Sequence, residues 1–307
     1  MDVPGGLRVS HQRFWGANAR VWLDAAPALA DSLLERWSLT PDGPATHGAV
    51  AWIIPVRRAD GTAAVLKLQP VDDETAGEPL ALRAWAGNGA VLLFEHDDES
   101  GSMLLERLDA ARSLGSVASD LAALETLAEL LARLSAVQAP AGLRRLADVG
   151  ADMLERAARI LPRAGRVESL VRDCSAVLRD VLPEPGDRLL HWDLHYDNVL
   201  APLPGDDRGS WLAIDPKPLA GDPCFELLPA LHNRWGDVVA TGDVSGAIRR
   251  RFDLMTDVAS LDRDRARAWT LARVLQNIVW ELEEGAAPWS TEPDRAIAET
   301  LLTPAAA

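Results

Sequence analysis

The chain predicts an α+β protein of two lobes, a small antiparallel-sheet lobe over residues 1–106 and a larger, mainly helical lobe over residues 107–307. Three observations carry this expectation. Short apolar runs separated by turn residues crowd between Ala49 and Glu106. Leucines at helical spacing take over from Leu121. One polar segment, residues 191–198 with a hairpin behind it, interrupts the helical half. Strands that come first and helices that come later segregate in space instead of alternating in one layered sheet.

Taken in order, residues 11–37 read as helical, with Trp22, Ala26, Leu29, Leu33 and Trp37 in register. Pro27 is placed near the first turn of a second helix, where its missing N–H does least harm. Residues 49–56 and 62–68 form a predicted hairpin with Asp60-Gly61 at its tip. Residues 80–86 read as a helix, and 90–95 and 102–106 as two more strands around the polar turn 97–101. The lobe boundary falls near Glu106 to Asp109. Beyond it, Leu121, Leu124, Leu127, Leu131 and Leu134 mark a helix that ends before Pro140, with further helix through 143–161 and 166–181. Trp269, Ala272, Leu275, Val279 and Leu282 mark a late helix, and residues 293–302 a short last one. The hairpin is expected to be the single interruption of this half.

A length of 307 residues, 48% of them hydrophobic and 25% charged, suits a globular protein with a real core. The first six residues carry neither a basic region nor an apolar run, and no stretch reaches the length of a membrane span. Two cysteines, Cys174 and Cys224, make no disulfide framework. A reducing cytoplasm and a monomer are therefore expected. A net charge of -15 argues against a nucleic-acid partner and suits a cationic small molecule. Of the 31 basic residues only two are lysines, Lys67 and Lys217. Heavy use of Ala and Arg explains the scarcity but not the positions. Lys67 lies in an apolar strand pattern and Lys217 two residues after Asp215. A compact ammonium reaches between phosphates in a way that a planar guanidinium does not.

The polar segment reads His191-Trp192-Asp193-Leu194-His195-Tyr196-Asp197-Asn198, and its H-x-D-x-x-x-x-N spacing matches the kinase catalytic loop. Residues 199–201 and 211–214 are the arms of the hairpin, which returns Asp215 beside Asn198. Two hard oxygen ligands then converge, as Mg²⁺ requires. Polar turns of this composition also occur on plain surfaces. Here Leu189, Leu190, Val199, Leu200, Leu212 and Ile214 would bury the roots of the loop. A rival is a metal-hydrolase cluster, since His191, Asp193, His195 and Asp197 would line one face of an extended segment. The other four histidines show no partner spacing. Buried in a strand, Lys67 needs an acid; Glu78 is chosen, with Glu74 as the substitute. No Gly-rich phosphate loop is present, and Thr46-His47-Gly48-Ala49 is the nearest counterpart. Gly221-Asp222-Pro223 and Glu226 read as structural supports of the loop.

These residues together resemble the aminoglycoside phosphotransferase family, in its streptomycin 6-phosphotransferase and hydroxyurea-resistance branch. Residues 191–200, 213–223 and Glu226-Leu227 carry the resemblance, with weaker similarity from about Trp37 to Gly285. It implies a protein-kinase-like fold, ATP and Mg²⁺, and phosphorylation of a hydroxyl on an amino-sugar or guanidino-cyclitol such as streptomycin. It further implies Asp193 as catalytic base, Asn198 and Asp215 as metal ligands, Lys67 (paired with Glu78) on the phosphates, and adenine against Glu106 to Leu108. Trp192 departs from the small residue expected between His and Asp. Acceptor contacts are expected from Trp192, His195 and the late helix, where Arg273, Asn277, Trp280 and Glu284 share a face with Glu281 and Glu283 nearby. The alternatives are a kinase of another amino-sugar, cyclitol or metabolite hydroxyl, a non-catalytic nucleotide-binding regulator, and the metallohydrolase.

Overall fold

Two helices open the chain, α1 (Gly5–Trp15) and α2 (Ala19–Arg36). Pro27 lies inside α2 and does not start a second helix there. An interior proline costs about 3 kcal/mol, and the buried stripe Ala19, Leu23, Ala26, Ala30 and Leu33 holds the helix in place against it. The computed structural model describes residues 1–16, 19–205, 208–283 and 292–303.

The helices cover an antiparallel six-stranded sheet made of β1 (Thr40–Pro41), β2 (Thr46–His47), β3 (Trp52–Arg57), β4 (Ala63–Leu68), β5 (Leu93–His96) and β6 (Met103–Glu106), in the order β1-β3-β4-β6-β5 with β2 also on β3. β1 and β2 cover the two ends of β3 and leave Pro55, which has no N–H to offer, opposite the break between them. Alternation turns Trp52, Ile54, Val56, Ala64, Leu66 and Leu68 into one core with Leu23, Ala26, Ala30 and Leu33. The β3–β4 turn closes with Arg58 N–H on Thr62 O at 3.0 Å, and Gly61 takes a positive φ of 85° at its tip.

Helix α3 (Glu78–Trp85) starts two residues earlier than predicted. Its Ala81, Leu82 and Trp85 belong to the core of the helical half, and the Trp85 indole N–H donates to Leu134 O at 3.0 Å. A strand that the sequence pattern did not announce, β7 (Asp109–Ser113), follows β6 and pairs with β10 (Val199–Ala201), which also carries β11 (Leu212–Ala213). The loop after α3 is laced to the same hairpin by Val91 N–H on Ala213 O and Ala213 N–H on Gly89 O, each 2.9 Å.

The helical half comprises α4 (Asp120–Ser135), α5 (Leu146–Ile160), α6 (Glu168–Val181), α7 (Leu227–His232), α8 (Trp235–Ala240), α9 (Val244–Val258), α10 (Arg263–Glu283) and α11 (Glu292–Leu302). The hairpin is not its only interruption. β8 (Arg144–Arg145), β12 (Leu219–Gly221) and β9 (Arg188–Leu190) form a second small sheet under the polar segment. α10 runs through the middle, buried on nearly every side from Ala266 to Val279. Among the described residues no helix is long and apolar enough to cross a membrane.

Candidate active site

Alternation in β4 sends Lys67 to the face opposite Leu66 and Leu68, toward α3. Its side chain is buried, and its ammonium donates to both oxygens of Glu78 at 2.7 and 2.8 Å and to Asp215 Oδ1 at 2.5 Å. Gln69 Nε2 donates to Glu78 Oε2 at 2.9 Å. Burial opposes the charge on Lys67, but Asp215 and Glu78 outweigh it and hold the ammonium above its ordinary value. Lys67 draws Asp215 down in turn, while loss of water keeps Glu78 above the usual carboxylate range. The three charges tie the sheet, α3 and the segment after β11 at one point.

The polar segment leaves β9 at Leu190 and turns at Trp192, whose φ of 65° is left-handed. It is therefore not extended, and the alternating residues do not line one face. His191 is buried against the Trp85 indole, with ring centroids 6.1 Å apart. Its Nε2 meets Ile214 O at 3.0 Å and its Nδ1 accepts the Asp193 N–H at 3.3 Å, so both partners require the neutral ring with its proton on Nε2. Burial pulls its pKa down to about 4, in agreement. Asn198 Nδ2 donates to Asp193 O at 2.9 Å, and Ile214 N–H to Asn198 O at 2.9 Å. Asp193, Asn198 and Asp215 are thereby locked to one another through backbone atoms. The Asp193 carboxylate faces Lys217 Nζ at 3.1 Å and His195 Nε2 at 3.9 Å.

Trp192 is 2% exposed, and a left-handed backbone is costly for any residue with a side chain. Two groups hold it there. The Glu226 carboxylate accepts the N–H groups of His191 and Trp192 at 3.2 and 2.8 Å. Arg273 Nη2 donates to Trp192 O at 3.3 Å. Burial pushes Glu226 up to about 7 and pulls Arg273 down to about 10. The guanidinium groups of Arg144 and Arg273 lie 4.5 and 4.8 Å from the Trp192 ring centroid. Beyond the ring opens a cleft of about 310 Å³, bounded by Glu74, Arg144, Asp148, Asp152, Gln276 and Trp280 as well as Trp192. Trp192 Nε1, Gln276 Oε1, and Arg144 Nε and Nη2 are buried beside it with no hydrogen-bond partner among the described residues.

Residues 36–285 match the family described as aminoglycoside/hydroxyurea antibiotic resistance kinase. The chain belongs to that family. A streptomycin 6-kinase of Streptomyces glaucescens is 50% identical over 289 residues, 94% of this chain and 93% of that protein. A hydroxyurea phosphotransferase of Kitasatospora aureofaciens is 51% identical over 309 residues, 98% of this chain and 86% of that one. In fold, the crystal structure of a macrolide 2'-phosphotransferase from Brachybacterium faecium superposes with a TM-score of 0.57 at 22% identity, covering 92% of this chain and all of that one. The two-lobed, protein-kinase-like architecture is thus shared.

Several sequence-predicted site residues of this resistance kinase meet in the structure, and others stand apart. Glu78 is the acid on Lys67; Glu74 instead lies 4.0 Å from Lys217. Trp192 and Trp280 line the cleft. Asn277 does not: its amide donates to Asp294 at 3.1 and 3.2 Å, which also meets His232 at 2.8 Å, and so ties α10 to α7 and α11. Glu281 is half-buried one turn on, Glu283 pairs with Arg156, and Glu284 lies outside the described residues. The expectation of an open helix face opposite the leucines fails because α10 is enclosed, with Arg273 and Gln276 themselves buried. Glu106 accepts the Leu92 N–H at 2.9 Å and pairs with Arg208, and Leu108 is buried beyond it. Residues 48–51 form a turn closed by Gly48 N–H on Ala51 O at 3.0 Å, at the end of the sheet where Ile53 pairs with Lys67. The reading of the sequence missed Arg144 and Gln276 beside the cleft and the contact of Lys217 with Asp193. Only the rarity of lysine pointed toward the last.

Proposed function

We propose that this kinase transfers the γ-phosphoryl group of ATP, with Mg²⁺, to a hydroxyl of a cationic aminoglycoside, with streptomycin as the first candidate. One observation carries the reading: Lys67, held by Glu78 and Asp215, stands on the same site as an Asp193 carboxylate fixed through Asn198 and His191. The donor set fits Mg²⁺. Asn198 spends its amide nitrogen on Asp193 O and so keeps Oδ1 for a cation, and the Asp215 side chain, 48% exposed, offers a second hard oxygen beside it. Bound between them, the cation would offset phosphate charge. Lys67 orients the phosphates, and the 48–51 turn and the chain leaving the end of β6 at Glu106 to Leu108 receive the rest of the nucleotide. Asp193 orients the acceptor hydroxyl and takes its proton.

The acceptor lies in the cleft beside Trp192. Glu74, Asp148 and Asp152 meet its ammonium or guanidinium groups, Trp280 and Trp192 offer ring faces, and Gln276 Oε1 offers an acceptor that is otherwise unused. Hydroxyurea is the second candidate, because a hydroxyurea phosphotransferase is as similar to this chain as a streptomycin 6-kinase is. The test is incubation of purified protein with ATP, Mg²⁺ and either compound, followed by mass analysis of the product. One added phosphoryl group on streptomycin supports the reading. ATP consumed at the same rate with and without every acceptor tried would overturn it.

A further inference from the structure

We infer that Lys217 is a second working cation of the site, which orients Asp193 toward the acceptor and then meets the negative charge of the phosphoryl group in transfer. The inference rests on the reading above. Lys217 Nζ lies 3.1 Å from Asp193 Oδ2 and 4.0 Å from Glu74 Oε2, so its tip spans the candidate base and the acceptor cleft. Its backbone is fixed: the N–H donates to His191 O at 3.0 Å, Asp215 before it is held at a φ of 58°, and Pro216 and Pro218 flank it. Freedom is left to the side chain alone, which is 37% exposed.

Charge points to a role for a second side-chain cation. Lys67 is buried between Glu78 and Asp215, its ammonium engaged by both. With Asp193 and Glu74 added, two lysines face four carboxylates, and the site is net negative before any phosphate or metal arrives. Residue type points the same way. In a chain whose 31 basic residues include only two lysines, this position is one of the two. A point charge with three rotatable donors can pass from a carboxylate to a phosphoryl oxygen, and a planar fork would have to break a paired geometry to do so.

The step balances without further reagents. The acceptor O–H breaks and its proton goes to the Asp193 carboxylate. The acceptor oxygen forms a bond to the γ-phosphorus as the bond to the β–γ bridging oxygen breaks, and that electron pair leaves with ADP. Once Asp193 is protonated, its ion pair with Lys217 is discharged. The ammonium is then released toward the phosphoryl oxygens, where negative charge persists.

The test uses the purified kinase with ATP, Mg²⁺ and streptomycin. Lys217→Ala is expected to lower kcat by about 10²- to 10³-fold, as loss of one transition-state donor does, with KM for ATP within about threefold of the parent value. Lys217→Cys supplies the rescue. Both natural cysteines are buried, so 2-bromoethylamine alkylates position 217 and rebuilds an ammonium of nearly lysine length. At least about tenfold of the lost kcat should return, more than Lys217→Arg recovers. A kcat for Lys217→Ala within about threefold of the parent, a loss confined to KM for ATP, or no return after alkylation each overturns the role of Lys217. Those outcomes leave the parent activity standing. A parent protein that phosphorylates neither streptomycin nor hydroxyurea removes the functional reading itself.

Discussion

Replacing Trp192 separately by alanine and by glycine divides two costs that the native residue combines. The ring is 2% exposed and lies under two guanidinium groups, so losing it should destabilise by about 3–5 kcal/mol in either variant. The backbone cost differs between them. At a φ of 65°, alanine keeps the left-handed penalty of about 1–2 kcal/mol, which glycine does not have. Glycine gives back about 0.4–1 kcal/mol through its freer unfolded chain. The balance leaves Trp192→Gly more stable than Trp192→Ala by roughly 0.5–1 kcal/mol, the reverse of the order at an ordinary position. With a urea slope near 3 kcal/mol/M, the midpoints should separate by roughly 0.2–0.3 M. Urea unfolding followed by far-ultraviolet circular dichroism measures this directly. An alanine variant as stable as the glycine variant, or more so, would refute the claim that Glu226 and Arg273 hold a strained backbone at this position.

Asp193→Asn should keep ATP-dependent thermal stabilisation while kcat falls by about 10²- to 10⁴-fold; near-normal turnover would remove Asp193 from the reaction. Lys67→Met should abolish the thermal shift given by ATP with Mg²⁺. Its own stability should fall by roughly the 3–5 kcal/mol of a broken buried ion pair, because Glu78 and Asp215 lose the cation they share. The two buried groups around the loop have opposite pH signatures. Glu226, raised from 4.5 to about 7, contributes stability fully below 4.5, and roughly 3 kcal/mol of it is lost as pH rises through 7. His191, lowered from 6.5 to about 4, contributes stability above 6.5, and a similar amount is lost as pH falls through 4. Glu226→Gln should therefore lose stability on acidification more steeply than the parent, and His191→Gln less steeply, in urea midpoints compared at about pH 5 and about pH 7.5. Parallel slopes for all three proteins would refute this assignment.

Local chemistry made part of this site legible before any fold was known. A lysine inside an apolar alternation demands an acid, and Glu78, the first residue of α3, meets it. The spacing of Asp193 and Asn198 and the hairpin that returns Asp215 were likewise short-range facts. What failed were the features that depend on enclosure. β7 is mostly exposed and too short to alternate, and β8, β9 and β12 have two or three residues each, so no period could reveal them. Arg273 reads as a polar position facing outward, yet α10 is surrounded and both Arg273 and the unannounced Gln276 are buried. No local signal announces a left-handed tryptophan. Its supports, Arg144, Glu226 and Arg273, lie far along the chain from it, and only the packed structure brings them together.

The paucity of lysine has a practical side. Lys67 and Lys217 are the chain's only side-chain amines, and both stand on one site. Their accessibilities differ sharply, 4% for Lys67 against 37% for Lys217. An acylating reagent selective for amines is consequently an affinity label without a recognition element. It is expected to enter at Lys217 and spare Lys67, so the extent of side-chain acylation reads out access to the cation beside Asp193.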